Sequence, residues 1–465
     1  MTSRVNRNTC AAAALALFGL VSTGPAEAAV SAEEAAQLGK TLTPFGAIKA
    51  GNDDGSIPAW TGGMTSDPLY KKGGRRDHLF AGDKPLFSVT AQNMDQYADH
   101  LSEMSKEMFK AYPDTYRIDV YPTVRSAAAP QWVYDNTLKN ATRGQLVDGP
   151  LGPMPKGVYG GLPFPIPKSG IEVMWNSLML WKGVAWNFDF HIYQVTAQGK
   201  PVLLGDMRGI EQQPYYLPGG SAEQFESPTG TNGLFSEYIL RTQGPPLRAG
   251  EAILQQVFVN SENDSAWIYL TGQRRVRKLP NACCDTPHPA SAGLLFFDEV
   301  FGLYGRMDRF DWTLVGKKEM FIPYNCNQLM KSDQDATVMG AHHINPDVYR
   351  WEKHRVWVVD ANLKPGQRHL APKGRYYMDE DTGAIVLIDR WDAKDNPYRS
   401  VFEIPFAAPD LPGQIFHSFG FYDLTNKNWF LASLYNEFRT QYEFLDKPRN
   451  QVEFTPEAIA GEGIR

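Results

Sequence analysis

The chain has 465 residues, with 46 Lys and Arg against 52 Asp and Glu, a formal net charge of -6. That acidic balance excludes duplex nucleic acid as the main partner, because such binding is driven by a basic surface. The length suits one large domain or two to three ordinary ones, and 41 Gly and 33 Pro beside 11 Trp, 21 Tyr and 25 Phe mark a turn-rich, aromatic chain that favours β structure.

The first 28 residues read as a cleavable export signal. Arg4 and Arg7 supply the positive start, Ala11 to Val21 an apolar run, and Gly24-Pro25 a break. Ala26-Glu27-Ala28 then offers small residues at both recognition positions. The run is too short for a permanent anchor, which needs about 20 residues. No later stretch comes near that length, so no membrane span is expected. Cys10 precedes the apolar run and is not placed for lipidation. Cleavage after Ala28 removes Arg4, Arg7 and Glu27, which moves the net charge from -6 to -7. The mature chain is expected in the periplasm.

Residues 29–90 read as an extended arm. Ser31 and Glu34 form a capping box for a short helix over Ser31–Leu38. Turn residues follow in quantity, so the arm keeps its order only by lying on a larger body. Ile57, Trp60, Leu69 and Tyr70 are its expected anchors. Asn52 to Gly55 looks like half a calcium loop without its closing acid, and reads as a turn.

Residues 91–465 read as a single large domain. A helix is expected over 91–110, capped by Thr90, with Met94, Tyr97, Leu101, Met104 and Met108 on one core-facing side. Further helices are expected over Gln131–Thr142 and Gly170–Leu180, separated by a Gly/Pro-rich loop up to Pro167. From Val184 the chain turns to strand. Trp186, Phe188, Phe190 and Ile192 alternate with Asn187, Asp189, His191 and Tyr193, one aromatic face and one polar face. Strands are also expected over Val202–Ile210, Leu234–Arg241, Ala252–Asn260, Ala266–Thr271, Gln273–Leu279, Phe310–Ile322, Val348–Asn362, Arg375–Asp389, Val401–Pro405 and Gln414–Asp423. Short turns and no regular helical crossovers imply antiparallel pairing.

Catalytic patterns are missing. The chain has no nucleophile elbow, no H-E-x-x-H and no complete phosphate loop, so neither enzymatic activity nor a cofactor is expected. His342, His343, His354 and His369 read as structural, since adjacent strand residues point to opposite faces; no metal site is expected. Cys283, Cys284 and Cys326 in an oxidising compartment suggest one disulfide and one leftover thiol. Cys326 can pair with either neighbour, and a vicinal bridge is the strained alternative. Arg275 and Arg277 share one face of the densest basic cluster, either a solvated strand or a contact for an acidic partner or anionic head group.

Several motifs then converge: Leu42 to Gly46 (LTPFG), Gly51 to Gly63 (GNDDGSIPAWTGG), Gly272 to Pro280 (GQRRVRKLP), Asp285-Thr286-Pro287, Gly316 to Asn325 (GKKEMFIPYN), Asn345-Pro346-Asp347 and His354 to Val359 (HRVWVV). With them the chain resembles the bacterial domain-of-unknown-function 1329 family. Cys283-Cys284 departs from the bulky residue expected before Asp285. The resemblance implies an α+β, mainly β fold: a large curved antiparallel sheet, a LolA-like open half-barrel, with helices packed on the concave side. It implies a carrier of a hydrophobic molecule or lipid, with an RND-type inner-membrane transporter or an outer-membrane protein as partner. The expected lining is Met174, Trp175, Met179, Trp186, Phe188, Phe190, Trp267 and Tyr269, with Arg275 and Arg277 at a head group or partner. Intact-mass spectrometry of protein released from the periplasm is expected to give a chain starting at Ala29; a mass retaining residues 1–28 overturns the export reading.

Overall fold

Alternating apolar and polar residues with tight turns build one sheet of 16 strands in the computed structural model. The structure describes residue 1 and residues 30–280, 283–445 and 447–461. The export signal falls, Met1 aside, outside them. The strands are β1 (Phe87–Val89), β2 (Ile118–Tyr121), β3 (Gln145–Gly149), β4 (Gly152–Lys156), β5 (Ala185–Val195), β6 (Pro201–Gln212), β7 (Leu234–Gly244), β8 (Ala252–Phe258) and β9 (Ser265–Leu270). They continue with β10 (Arg275–Lys278), β11 (Phe310–Pro323), β12 (Trp351–Leu363), β13 (Lys373–Asp379), β14 (Ile385–Trp391), β15 (Pro397–Ala408), β16 (Gly413–Asp423), β17 (Trp429–Leu434) and β18 (Tyr442–Phe444). The α-helices are α1 (Ala32–Ala35), α2 (Glu103–Ala111), α3 (Gln131–Arg143), α4 (Gly170–Leu178), α5 (Ala222–Glu226) and α6 (Pro456–Gly461).

The sheet runs β1-β2-β12-β13-β14-β15-β16-β17-β5-β6-β7-β8-β9-β10, with β11 on β12 and β18 on β5. Its pairings are antiparallel except the short parallel contact of β2 with β12. The path is open: β1 and β10 end it without meeting. Register shifts at Leu314/Gly316, Tyr377/Met378 and Ile404/Phe406 mark bulges, which add local bend and twist. The expected mainly-β, antiparallel, open architecture is what the structure has.

Helices cover both faces. The end of α4 shares a cavity wall with Glu403 of β15, on the face that carries Trp186, called here the inner face. On the outer face, α2 sits over β14, and α6 packs on Ile239, Leu254 and Tyr269. The expected helix over 91–110 is in fact two pieces, a 3-10 segment Met94–His100 and α2. Ser102 caps α2, and the Asp389 carboxylate accepts from Glu103 and Met104 N–H at 2.8 and 3.1 Å. A continuous helix would bury those donors in its own ladder and leave the buried Asp389 carboxylate with the Tyr377 hydroxyl (2.8 Å) in place of three donors. Met104 and Met108 are core residues, as the stripe predicts. The loop expected up to Pro167 contains the β3–β4 hairpin.

The arm is tied down by polar groups as much as by apolar anchors. Ile57 is buried and the Trp60 indole donates to Ala127 O (2.9 Å), but Leu69 is 72% exposed and anchors nothing. Arg76 replaces it, fully buried and forked onto Asp410 at 2.8 and 2.7 Å. Arg125 forks onto Asp381 (2.8 and 2.6 Å) and donates to the carbonyls of Ile48, Lys49 and Pro58. Gly46 turns at φ +88°, where a Cβ would overlap the Pro165 carbonyl. Arg125→Ala would strand the buried Asp381 charge. The variant is expected to lose about 3–5 kcal/mol of stability in urea unfolding; a loss under about 1 kcal/mol would show that the clamp is dispensable.

Candidate functional site

The aromatic alternation of β5 forms the centre of the inner face. Trp186, Phe188, Phe190 and Ile192 are all buried, while Asn187, Asp189 and Tyr193 stay half-exposed on the other side. Register carries the inner face onward in a row: Ile192 opposes Ala432, Ala432 opposes Phe419, and Phe419 opposes Glu403. Two 3-10 segments, Pro289–Ser291 and Phe297–Gly302, lie on this face. Between them and the sheet is an apolar cavity of about 40 Å³, walled by Phe188, Phe190, Leu295, Phe301, Phe419 and Phe430. That volume admits water-sized occupants, far below the ~300–1,000 Å³ of a small-molecule site. The inner face is closed in this conformation.

Phe301 is the wall that separates this cavity from a second one of about 20 Å³, bounded by Lys182, Tyr304, Glu403 and Phe416. Its backbone is left-handed, φ 51° and ψ 37°. For a bulky side chain that costs of order 1–3 kcal/mol, and such positions concentrate where the structure switches. Its ring lies 4.6 Å from His417 and 5.1 Å from Phe419, and the Lys182 ammonium is 5.0 Å from its centroid.

Polar groups crowd beside it. Lys182 Nζ pairs with Glu211 at 3.0 Å, Gln213 donates to Glu211 at 2.8 Å, and Ser236 links Glu211 to Tyr304. His417 Nε2 stands 3.5 Å from Glu211 without hydrogen-bond geometry. Burial holds Glu403 well above the usual carboxylate range, against the pull of Lys182. Burial, helped by the Lys182 charge, holds His417 well below the usual imidazole range. Burial thus favours the uncharged form of both side chains.

A larger, more open pocket of about 220 Å³ lies at the β3–β4 turn, lined by Pro150, Met154, Trp175, Phe310 and Trp312 with Asp308 and Lys364 among its polar groups. The Trp175 indole donates to Pro153 O (3.0 Å), and Asp308 is paired with Arg306 (2.6 Å).

The expected lining residues divide among these places. Phe188 and Phe190 line the inner cavity, Trp186 stacks beside them on Tyr442, and Met174 and Met179 are core. Trp175 belongs to the larger pocket. Trp267 and Tyr269 do not join them. Their register against Leu254 and Ala252 puts them on the outer face, where Leu254, Ile239 and α6 cover them. Counting from one strand to the next could not give the face, because a side chain changes sides with each residue of register. Arg275 and Arg277 are exposed on the edge strand β10, four strands beyond β6 along the sheet and away from the inner cavity. Charged residues there also keep an edge from pairing with another chain.

The expected disulfide through Cys326 is not present. Cys283, Cys284 and Cys326 are free, and the buried Cys326 thiol donates to Arg350 O (3.3 Å). The histidines singled out earlier have separate neighbours: His342 stacks on Tyr112, His343 meets Thr115, His354 bonds Glu352 and His369 bonds Asp298.

Lys182, Glu211, Phe301, Glu403 and His417 were missed from sequence. The usable signal was Glu403 inside the apolar run VFEIPFAA and His417 inside GQIFHSFGF, since polar groups in buried strands need a reason. Burial raises the Glu403 pKa in the fold above its unfolded value, so its burial weakens the fold progressively as pH rises above that unfolded pKa. Glu403→Gln removes that penalty. Its stabilisation in urea unfolding is expected to grow as pH rises above the unfolded carboxylate pKa of about 4.3, by up to ~1.4 kcal/mol per unit; a pH-independent difference would show that burial does not raise the Glu403 pKa.

A family profile described as "Protein of unknown function (DUF1329)" matches residues 88–460. The Pseudomonas aeruginosa relative named Uncharacterized protein PA3922 is 38% identical over 444 residues, covering 94% of this chain and 95% of that one. Among solved structures, a DUF1329 family protein from Desulfovibrio piger aligns at 12% identity and TM-score 0.42, over 62% of this chain and 97% of that one. A putative outer membrane lipoprotein-sorting protein domain from Vibrio parahaemolyticus aligns at 10% identity and TM-score 0.40, over 60% of this chain and 92% of its own. The family match and the near full-length relative together place the chain: it belongs to the DUF1329 family.

Proposed function

We propose that the protein is a non-enzymatic periplasmic carrier that holds a hydrophobic molecule against the inner face of its sheet. In this reading it passes the molecule to or from an RND-type envelope transport system. The observation that carries the reading is the apolar cavity between β5, β16, β17 and the 290–301 segment. Its far wall is a phenylalanine held in a strained backbone conformation. A wall under strain can give way, and a carrier must open and close. Opening exposes Phe188, Phe190, Phe419 and Phe430 together, and each CH₂ buried there contributes about 0.8 kcal/mol.

The structural segments support the division of labour. The sheet side of the cavity is held by long ladders, β5 with β6 and β15 with β16. The opposite side is two short 3-10 turns that make no ladder hydrogen bonds with the sheet. Transfer to a membrane transporter needs an exit toward a partner, and the exposed basic edge at Arg275 and Arg277 is available for an acidic surface or head group.

Native mass spectrometry of gently purified protein, with fluorescent acyl-chain displacement, is the direct measurement. A bound amphiphile, or probe binding in the micromolar range, is expected, and Phe190→Asp on the inner face is expected to weaken it at least ~10-fold. Protein that is consistently empty and ignores every probe overturns the carrier reading in favour of an assembly subunit.

A further inference from the structure

Resting on the carrier reading, the inner face gives more than an apolar wall: it also holds buried polar atoms with nothing to bond. Glu403 Oε1, Glu211 Oε2, both ring nitrogens of His417, Trp186 Nε1 and the Tyr442 hydroxyl have no hydrogen-bond partner among the described residues. With Lys182, these residues are at most 8% exposed. Buried polar groups are nearly always satisfied, and each orphan costs about 1–3 kcal/mol. Six orphan atoms in one neighbourhood are therefore a demand for a ligand group.

The neighbourhood is contiguous. His417 packs 5.3 Å from Trp186, 5.1 Å from Phe188, 5.4 Å from Tyr442 and 4.6 Å from Phe301. Lys182 bonds Glu211, lies 5.6 Å from the Trp186 ring centroid, and lines the same small cavity as Glu403. Phe301 lines both the small cavity of Lys182 and Glu403 and the apolar cavity of Phe188, Phe190, Phe419 and Phe430, which Glu211 also borders. Relaxing its left-handed backbone would swing the ring and join the two spaces. The joined space is polar at one end and apolar at the other.

We infer that this joined chamber takes an amphiphile with an uncharged, hydroxyl-type head group, seated among Glu403, His417, Glu211 and Trp186 while its apolar body replaces Phe301 against the β5 aromatic row. The hydrogen-bonding inventory selects the head. Glu211 Oε2 only accepts, the Trp186 N–H only donates, and a neutral imidazole does one of each. A hydroxyl donates and accepts, so it serves both kinds. The Lys182 charge is already matched by Glu211. A carboxylate head would put an unpaired negative charge beside Glu211 in a dry site, and an ammonium an unpaired positive one beside Lys182. Glu403 Oε1 is itself without a partner, and burial favours the protonated form of this carboxyl, which can both donate and accept.

The test uses the full mature chain and three matched C16 probes: hexadecan-1-ol, palmitate and hexadecylamine. Each displaces a fluorescent acyl probe at pH 7. Cholesterol is run beside them to separate a linear alcohol from a fused-ring one. At least one alcohol is expected to bind ~10-fold or more tighter than both charged probes, since an unmatched charge in a buried site costs well over 1.4 kcal/mol. Glu403→Leu is expected to reduce that preference to near parity, and Glu403→Gln, which keeps a donor and an acceptor, to lose less. Equal binding of all probes, tighter binding of palmitate or the amine, or an unchanged preference in Glu403→Leu overturns the head-group assignment and leaves the carrier reading standing. Failure of every probe overturns both.

Discussion

An open sheet with an aromatic row at its centre must have that row covered. Trp186, Phe188 and Phe190 would otherwise expose apolar area worth roughly 2–3 kcal/mol per side chain. The fold meets this with α4 and two 3-10 turns, and much of its remaining architecture follows from that choice. Because the cover is a loop segment and not a second sheet, it shares no ladder with the strands beneath it. It can be held in place by packing and by a few polar contacts such as Glu299 with Arg390 and Arg399. Phe301 is the point where cover and sheet meet, and its unusual backbone is the consequence.

The opposite end of the sheet is organised by buried charge. Arg125 with Asp381, Arg350 with Glu352 and His354 with Glu352 form a network that also receives carbonyls from residues 48–58. Three of the seven signature motifs meet there: GNDDGSIPAWTGG crosses it, and GKKEMFIPYN and HRVWVV build its strands. Asn52 Nδ2 reaches Glu319 and Asp54 pairs with Lys353, so the Gly-Asn-Asp turn is a fastening. The family pattern therefore records how the arm is sewn to the sheet. The inner chamber, where binding is proposed, is written mostly in ordinary aromatic residues and a few polar ones that no motif marks.

Burial shifts carboxyl groups the same way in both regions. Asp379, pressed between desolvation and the Asp381 charge, is pushed up to about 7, and Asp389 under α2 to about 6 by burial. Each binds a proton more readily folded than unfolded, so each contributes stability on the acid side that fades as pH rises through these values. Glu403 acts in the same direction.

The sequence by itself determined the local structure. The β5 alternation, the capping box at Ser31, α3, and nearly every strand after residue 184 follow from periodicity and cap chemistry. Those signals span a few residues, so one chain segment carries them whole. The two-piece helix before residue 111, the outer-face position of Trp267 and Tyr269, and the Cys326 environment did not follow. Each depends on a partner far along the chain: Asp389 for the helix start, strand register for the face, Arg350 for the thiol. The candidate site divides in the same way. Phe188 and Phe190 were legible because alternation displays them. The Lys182, Glu211, Glu403 and His417 set came together only in three dimensions, since it draws on a loop and three separate strands that long-range pairing alone brings within reach.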